Sequence, residues 1–183
     1  MKHLPNLICL LRIALIWPIV LSLQAGEHVR VVVLFLVAAI SDGLDGFLAK
    51  RFGWASDLGR FLDPLADKLL LVTVFVVATW NGLIPWWLTV AAVARDFIIG
   101  LGALVYRLWF GPLHGRPTIV SKINTLVQFS CLVAAILAAA WHWPPRELQD
   151  ALFVFAFVLS IASGIDYLAR FVGRAWRAPA ATL

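Results

Sequence analysis

Aspartates at 42, 45, 63 and 67 are the residues of this sequence whose type and spacing could do chemistry. Asp42 and Asp45 are spaced i, i+3, and Asp63 and Asp67 i, i+4, so each pair projects from one face of a helix. Two such faces packed together would gather four carboxylates, which repel one another unless protons or cations intervene. A divalent cation resolves that conflict, and an all-oxygen set suits Mg²⁺, Mn²⁺ or Ca²⁺ rather than Zn²⁺. Gly43, Gly46, Gly53 and Gly59 surround the aspartates. Glycine inside a helix costs about 1 kcal/mol relative to alanine, a cost tolerated where a helix or ligand must approach the backbone closely. Lys50 and Arg51 follow directly. Metal, small residues and adjacent cations together describe a phosphate-binding site. The plainer alternative is an ion-pair network in which Asp42 and Asp45 answer Lys50, Arg51 and Lys68.

The elements that must position these residues are set by composition. The 183-residue chain is 62% hydrophobic and 14% charged, with a mean hydropathy of +0.92, whereas a soluble domain has roughly 45–50% apolar and about 25% charged residues. That leaves too little polar surface for a compact soluble domain, and a bilayer supplies the missing apolar solvent. Six runs are long enough to span: about 7–23, 29–47, 61–80, 84–110, 117–140 and 151–171. The expected fold is a single all-α membrane domain over residues 1–183, with six transmembrane helices. No small-residue cleavage site follows Leu23, so the first run reads as a retained span.

Lys2, Lys50, Arg51, Arg60, Arg107, Arg116, Arg174 and Arg177 fall on one set of loops and ends, and only Arg30 and Arg146 on the other. The positive-inside rule then places both termini, and the aspartates, at the cytoplasmic face. The same clustering accounts for the net charge of +5 without nucleic acid. Trp80, Trp86, Trp87, Trp141 and Trp143 mark outer turns, and Trp54, Trp109 and Trp176 inner ends, as an interfacial aromatic belt requires. Trp17 falls mid-span, facing lipid or packing. Cys9 and Cys131 lie inside apolar runs and read as small buried hydrophobes. Charged residues inside spans cost at least about 2.5–3.5 kcal/mol each on insertion scales, so the aspartates at the inner ends of the second and third runs are not lipid-facing decoration.

Further polar residues lie in the later runs: Arg95 and Asp96 in the fourth, Lys122 and Asn124 in the fifth, Asp166 and Tyr167 in the sixth. Ser121, Thr125 and Gln128 are spaced 4 and 3 apart and would share a stripe. Such residues either knit helices together through hydrogen bonds or, in the case of Arg95 and Lys122, bind a substrate phosphate. Asp166 reads as a structural partner of Arg170 at i+4, and Arg170, Arg174 and Arg177 as a juxtamembrane anchor to anionic lipid.

Read as a string, residues 42–67 are DGLDGFLAKRFGWASDLGRFLDPLAD, which resembles the signature of the CDP-alcohol phosphotransferases. Asp42, Asp45, Gly46, Ala49, Gly59, Asp63 and Asp67 match it in type and spacing. Lys50 stands where that family usually has Arg, which keeps the charge but loses the bidentate fork; Arg51 follows it. The opening Leu4-Pro5-Asn6-Leu7, with Arg12 behind it, is similar to the start of the phosphatidylglycerophosphate and cardiolipin synthase branches. The resemblance implies six transmembrane helices, a homodimer, and two divalent ions per site, Mg²⁺ or Mn²⁺. It implies that Asp42, Asp45, Asp63 and Asp67 hold the metals against the diphosphate of CDP-diacylglycerol. Gly46, Ala49, Lys50 and Gly59 would meet the nucleotide, and Asp67 would also act as general base toward the acceptor hydroxyl. Arg95, Lys122 and Arg51 would bind the acceptor.

The stretch Pro117-Thr118-Ile119-Val120-Ser121-Lys122-Ile123-Asn124-Thr125-Leu126-Val127-Gln128, with the Arg95-Asp96 pair, looks more like the cardiolipin synthase branch. Phosphatidylglycerol is therefore the expected acceptor, with glycerol 3-phosphate the alternative. The expected location is a bacterial inner membrane, with the site facing the cytoplasm. An ion-coupled transporter is the competing class, but transporters place charges near the midplane and show internal repeats with broken helices. Here the four carboxylates cluster at one interface, and no half-to-half repeat is evident.

Overall fold

The computed structural model describes the backbone of residues 4–52, 57–110 and 119–177, and the side chains of residues 10–41, 66–105 and 119–170. Among the described residues there are six helices and no strand: α1 (Leu4–Gln24), α2 (His28–Phe52), α3 (Asp57–Trp80), α4 (Trp86–Phe110), α5 (Ile119–Trp141) and α6 (Arg146–Arg177). Each expected run is one helix, and several helices exceed their run. α2 continues past residue 47, and α6 begins before 151 and ends after 171, because hydropathy detects hydrocarbon thickness whereas a helix ends where its backbone is capped.

Two of those caps are legible in the chain. After α1, Gly26 N donates to Leu23 O at 3.2 Å and Glu27 N to Ser22 O at 2.9 Å. After α3, Gly82 N donates to Thr79 O and Leu83 N to Ala78 O, each at 2.9 Å. Both are Schellman ends, with Gly26 at φ +73° and Gly82 at φ +74° in the left-handed region that a side chain disfavours. The turn between α1 and α2 is thereby held to three residues. At the start of α4, Pro85 O accepts from Leu88 N at 3.1 Å, so proline occupies a place where its missing N–H is no loss.

The chain forms two compact units, Met1–Ile84 with Leu132–Pro145, and Pro85–Cys131 with Arg146–Leu183. In the first, α1 packs against α2 and α3. The buried positions follow helical spacing: Arg12, Ile19, Ser22 and Leu23 on α1, Val31, Phe35 and Ala38 on α2, and Ala66, Leu70, Val74, Phe75 and Ala78 on α3. In the second, α4 packs against α6. Trp87 meets Phe157 edge-on at 5.3 Å, Arg95 bonds Ser163, and a side chain at Gly102 would press on Tyr167. Residue numbers rise together along α4 and α6, so these helices run parallel. α5 runs against α6, since Gln128 bonds Ser160 and Cys131 Sγ reaches Leu152 O.

The faces turned away from these seams are apolar. Val33, Leu36, Val37 and Ile40 on α2, Phe97, Ile98 and Leu101 on α4, and Val154, Phe155, Val158 and Ile161 on α6 are exposed. Water would not tolerate so much apolar surface, and lipid requires it. Among the described residues, Trp86–Val105, Ile119–Trp141 and Arg146–Arg170 are long and apolar enough to cross a bilayer, with shorter apolar stretches at Leu10–Gln24 and His28–Ser41. The protein is an integral membrane protein. Trp80, Trp86, Trp141 and Trp143 are exposed at helix ends and Trp17 is exposed mid-helix, while the side chains of Trp54, Trp109 and Trp176 lie outside the described residues.

Candidate active site

The aspartates occupy the last turns of α2 and the first turns of α3. Asp42, Asp45, Gly46, Ala49, Lys50 and Arg51 lie on α2, and Gly59, Asp63 and Asp67 on α3. Both segments are helical, as the spacing argument requires. The connection from Phe52 to Asp57 spans five Cα–Cα steps, which keeps these two ends within roughly 19 Å. Of these residues only Asp67 has a described side chain; the others, including Lys50 and Arg51, lie outside the described residues in that respect, as do Gly53 and the stretch 111–118 altogether. Among the described residues no group of three or more His, Cys, Asp or Glu forms a metal cage.

Asp67 is paired with a residue the sequence reasoning left without a role. Arg12 Nη1 donates to Asp67 Oδ1, joining α1 to α3 across 55 positions. The pair is lopsided, with the Arg12 side chain 1% exposed and that of Asp67 49% exposed. A carboxylate open on one side and held on the other can meet a substrate. The signal that could have found Arg12 was its charge inside an otherwise apolar run, an expensive placement that calls for a partner.

The polar residues of the second unit are arranged differently. Arg95 Nε and Nη2 donate to Ser163 Oγ at 3.2 and 2.8 Å, Nη2 also to Ser121 Oγ at 2.5 Å, and Nη1 to Asp96 Oδ1 at 2.6 Å. The Arg95 side chain is 5% exposed, so this guanidinium ties α4 to α5 and α6 from inside. Gln128 Nε2 donates to Ser160 Oγ at 3.2 Å, and Ser160 Oγ donates to Asn124 Oδ1 at 3.0 Å. The expected stripe is thereby shifted at one position. Asn124 faces inward, whereas Thr125 is exposed and bonds its own helix through Ser121 O at 3.1 Å. A threonine hydroxyl can close on the preceding turn, and the amide of Asn124 cannot do so as readily. Lys122 is exposed on α5. Arg170 Nε donates to Asp166 Oδ1 at 2.8 Å, the i, i+4 pair expected from spacing. Cys131 is a buried free thiol, as expected.

Comparison with known proteins decides the class of chemistry. The family model described as CDP-alcohol phosphatidyltransferase matches residues 2–162, which includes the whole aspartate segment. The chain belongs to the CDP-alcohol phosphatidyltransferase family. It is 33% identical over 181 residues to the CDP-diacylglycerol–glycerol-3-phosphate 3-phosphatidyltransferase of Escherichia coli (strain K12), covering 91% of this chain and 93% of that one. It is 32% identical over 178 residues to a probable phosphatidylglycerophosphate synthase of Mycobacterium tuberculosis (strain H37Rv), covering 92% and 81%. A human cardiolipin synthase (CMP-forming) is 31% identical over 183 residues, covering 90% of this chain and 60% of the relative. The protein is thus a CDP-alcohol phosphatidyltransferase of phospholipid synthesis, and the transporter reading falls away.

Proposed function

We propose that the chain transfers the phosphatidyl group of CDP-diacylglycerol to a hydroxyl of phosphatidylglycerol, forming cardiolipin and releasing CMP. The observation that carries the mechanism is Asp67, half-exposed on α3 in register with Asp63 and held at one oxygen by a buried arginine. Asp67 takes the proton of the acceptor hydroxyl. The acceptor oxygen then bonds to the lipid-side phosphorus as the bond from that phosphorus to the CMP oxygen breaks. Asp42, Asp45, Asp63 and Asp67 form an oxygen donor set that fits hard divalent cations, Mg²⁺ or Mn²⁺, two per site. Such cations, when bound, offset the charge of the diphosphate and of departing CMP. Gly46, Ala49, Lys50 and Gly59 line the nucleotide's approach, and Arg51 and Lys122 answer the acceptor's phosphate.

Support for phosphatidylglycerol comes from the Pro117–Gln128 string and from Arg95. Among the described residues Asp96, Ser121 and Ser163 take up all three guanidinium nitrogens of Arg95. We therefore give Arg95 the part of a buried support behind the acceptor residues of α5, with exposed Lys122 providing the charge. The second reading, glycerol 3-phosphate as acceptor, is favoured by the relatives that align over most of their own length, which carry phosphatidylglycerophosphate synthase names.

The reading includes six transmembrane crossings with both termini cytoplasmic, supported by the alternation of α4, α5 and α6, the tight α1–α2 turn and the distribution of Lys and Arg. We place the protein in a bacterial inner membrane as a homodimer, with the aspartates at the cytoplasmic face. The deciding experiment supplies the purified chain with Mn²⁺, CDP-diacylglycerol and either acceptor, and identifies the lipid product. Cardiolipin from phosphatidylglycerol is the expected result. Phosphatidylglycerophosphate alone would keep the phosphatidyl transfer and replace the acceptor.

A further inference from the structure

Arg12 is the charged residue of α1, set in its third turn among leucine, isoleucine and alanine. A buried cation in a membrane-spanning helix is expensive, and a surface ion pair would return little of that cost. The geometry here is neither a surface pair nor a closed one. Arg12 is enclosed, and its partner Asp67 is half open. Ala66, fully buried beside Asp67, and Leu70 one turn on fix that stretch of α3 within its unit. Ile19 and Leu23 fix α1 in the same unit. The guanidinium is therefore anchored by packing, and its Nη1 holds Asp67 at Oδ1.

We infer that Arg12 is a positioning residue for phosphatidyl transfer: it clamps Asp67 Oδ1 so that the carboxylate meets the acceptor hydroxyl and the metals in one orientation. This rests on the reading of Asp67 as proton acceptor. Misplacement of a reacting group by about 1 Å can cost 10²-fold in rate, and loss of a partner that orients a metal ligand typically costs about 10–100-fold in metal affinity or activity. Arginine suits the task because its planar fork loses less freedom per bond than lysine.

The test uses the full chain in detergent with Mn²⁺, comparing wild type, Arg12→Gln, Asp67→Asn and the double variant. Turnover with CDP-diacylglycerol and phosphatidylglycerol, Mn²⁺ affinity by paramagnetic resonance, and thermal transitions are measured on each. Arg12→Gln should lower kcat by roughly 10–100-fold, leave the KM for CDP-diacylglycerol within about threefold and weaken Mn²⁺ binding. In the Asp67→Asn background the same substitution should weaken Mn²⁺ binding no further, because its partner is already gone. Wild-type kcat in Arg12→Gln, or a loss of Mn²⁺ affinity equal in both backgrounds, would overturn the positioning role. Asp67→Asn with wild-type turnover would instead remove the base assignment on which the inference rests. Should Arg12→Gln fail to fold, Arg12→Lys takes its place with an intermediate kcat expected. A folded lysine variant at wild-type kcat and Mn²⁺ affinity, or one that also fails to fold, would assign Arg12 to the fold alone.

Discussion

Two buried arginines in this protein are put to opposite uses. Arg95 is closed on all sides, its nitrogens shared among Asp96, Ser121 and Ser163 on α4, α5 and α6. Arg12 is equally enclosed, but its partners include Asp67, which keeps about half of its side-chain surface open. A buried charge whose three nitrogens are all committed to neighbouring side chains serves to hold helices together. A charge whose partner remains accessible can hold that partner ready for a substrate. On the proposed function, the difference separates a helix-tying region on α4–α6 from a substrate-facing one on α1–α3.

Chelation should give the largest effect if the proposed metal dependence holds. Dialysis against EDTA should abolish CMP release, and readdition of Mg²⁺ or Mn²⁺ should restore it, while the thermal transition of the α4–α6 region, read by hydrogen exchange, stays in place. Undiminished turnover without metal would dissolve the reactive side of the contrast. On the architectural side, Arg95→Ala leaves Asp96, Ser121 and Ser163 without their shared donor. Breaking a buried pair from one side costs about 3–5 kcal/mol, so a loss near the lower figure is expected in reversible unfolding in detergent. A loss confined to acceptor KM, with stability intact, would move Arg95 to the reactive side.

Smaller effects sharpen the same picture. A Cβ at Gly102 would lie 3.0 Å from Tyr167 Cε1 and 3.3 Å from its hydroxyl. Gly102→Ala makes that ring give by a few tenths of an ångström, and because alanine gains about 1 kcal/mol over glycine inside a helix, the net change in stability is expected to stay below about 2 kcal/mol. At Gly82 nothing lies within 4 Å of an added Cβ, yet φ is +74°. Gly82→Ala should therefore cost about 1–2 kcal/mol from backbone strain alone, measured by thermal denaturation. Lys122→Ala is expected to change stability by less than about 0.5 kcal/mol while raising the KM for phosphatidylglycerol severalfold. An unchanged KM would remove Lys122 from the acceptor site.

The fold was legible because each helix coincides with an apolar run that a bilayer demands. What the runs could not show was where helices end. The Schellman turns at Gly26 and Gly82 depend on backbone bonds three and five residues apart, and α6 extends through polar residues that hydropathy discounts. The aspartates were legible for a different reason, since two pairs at i, i+3 and i, i+4 are costly in an apolar setting and match a family signature. The i, i+4 pair of Asp166 and Arg170 was readable by the same local rule. Arg12 stood out only within the N-terminal resemblance, and its pairing with Asp67 was not legible, because the two lie 55 residues apart and no local periodicity links α1 to α3. Thr125 was misplaced on the stripe for a related reason: i+3 and i+4 both share a helix face, and only the neighbouring helix decides that Asn124 is the one turned inward.

Phosphatidyl transfer as proposed depends most directly on the half-open carboxylate of Asp67. CMP release from CDP-diacylglycerol should be measured for wild type and Asp67→Asn, purified in the same detergent with the same Mn²⁺ and with phosphatidylglycerol as acceptor. A general base of this kind contributes about 10²–10⁴-fold, so the variant should fall by at least the lower factor while remaining folded and retaining part of its metal. A folded Asp67→Asn protein that releases CMP at the wild-type rate would contradict the account.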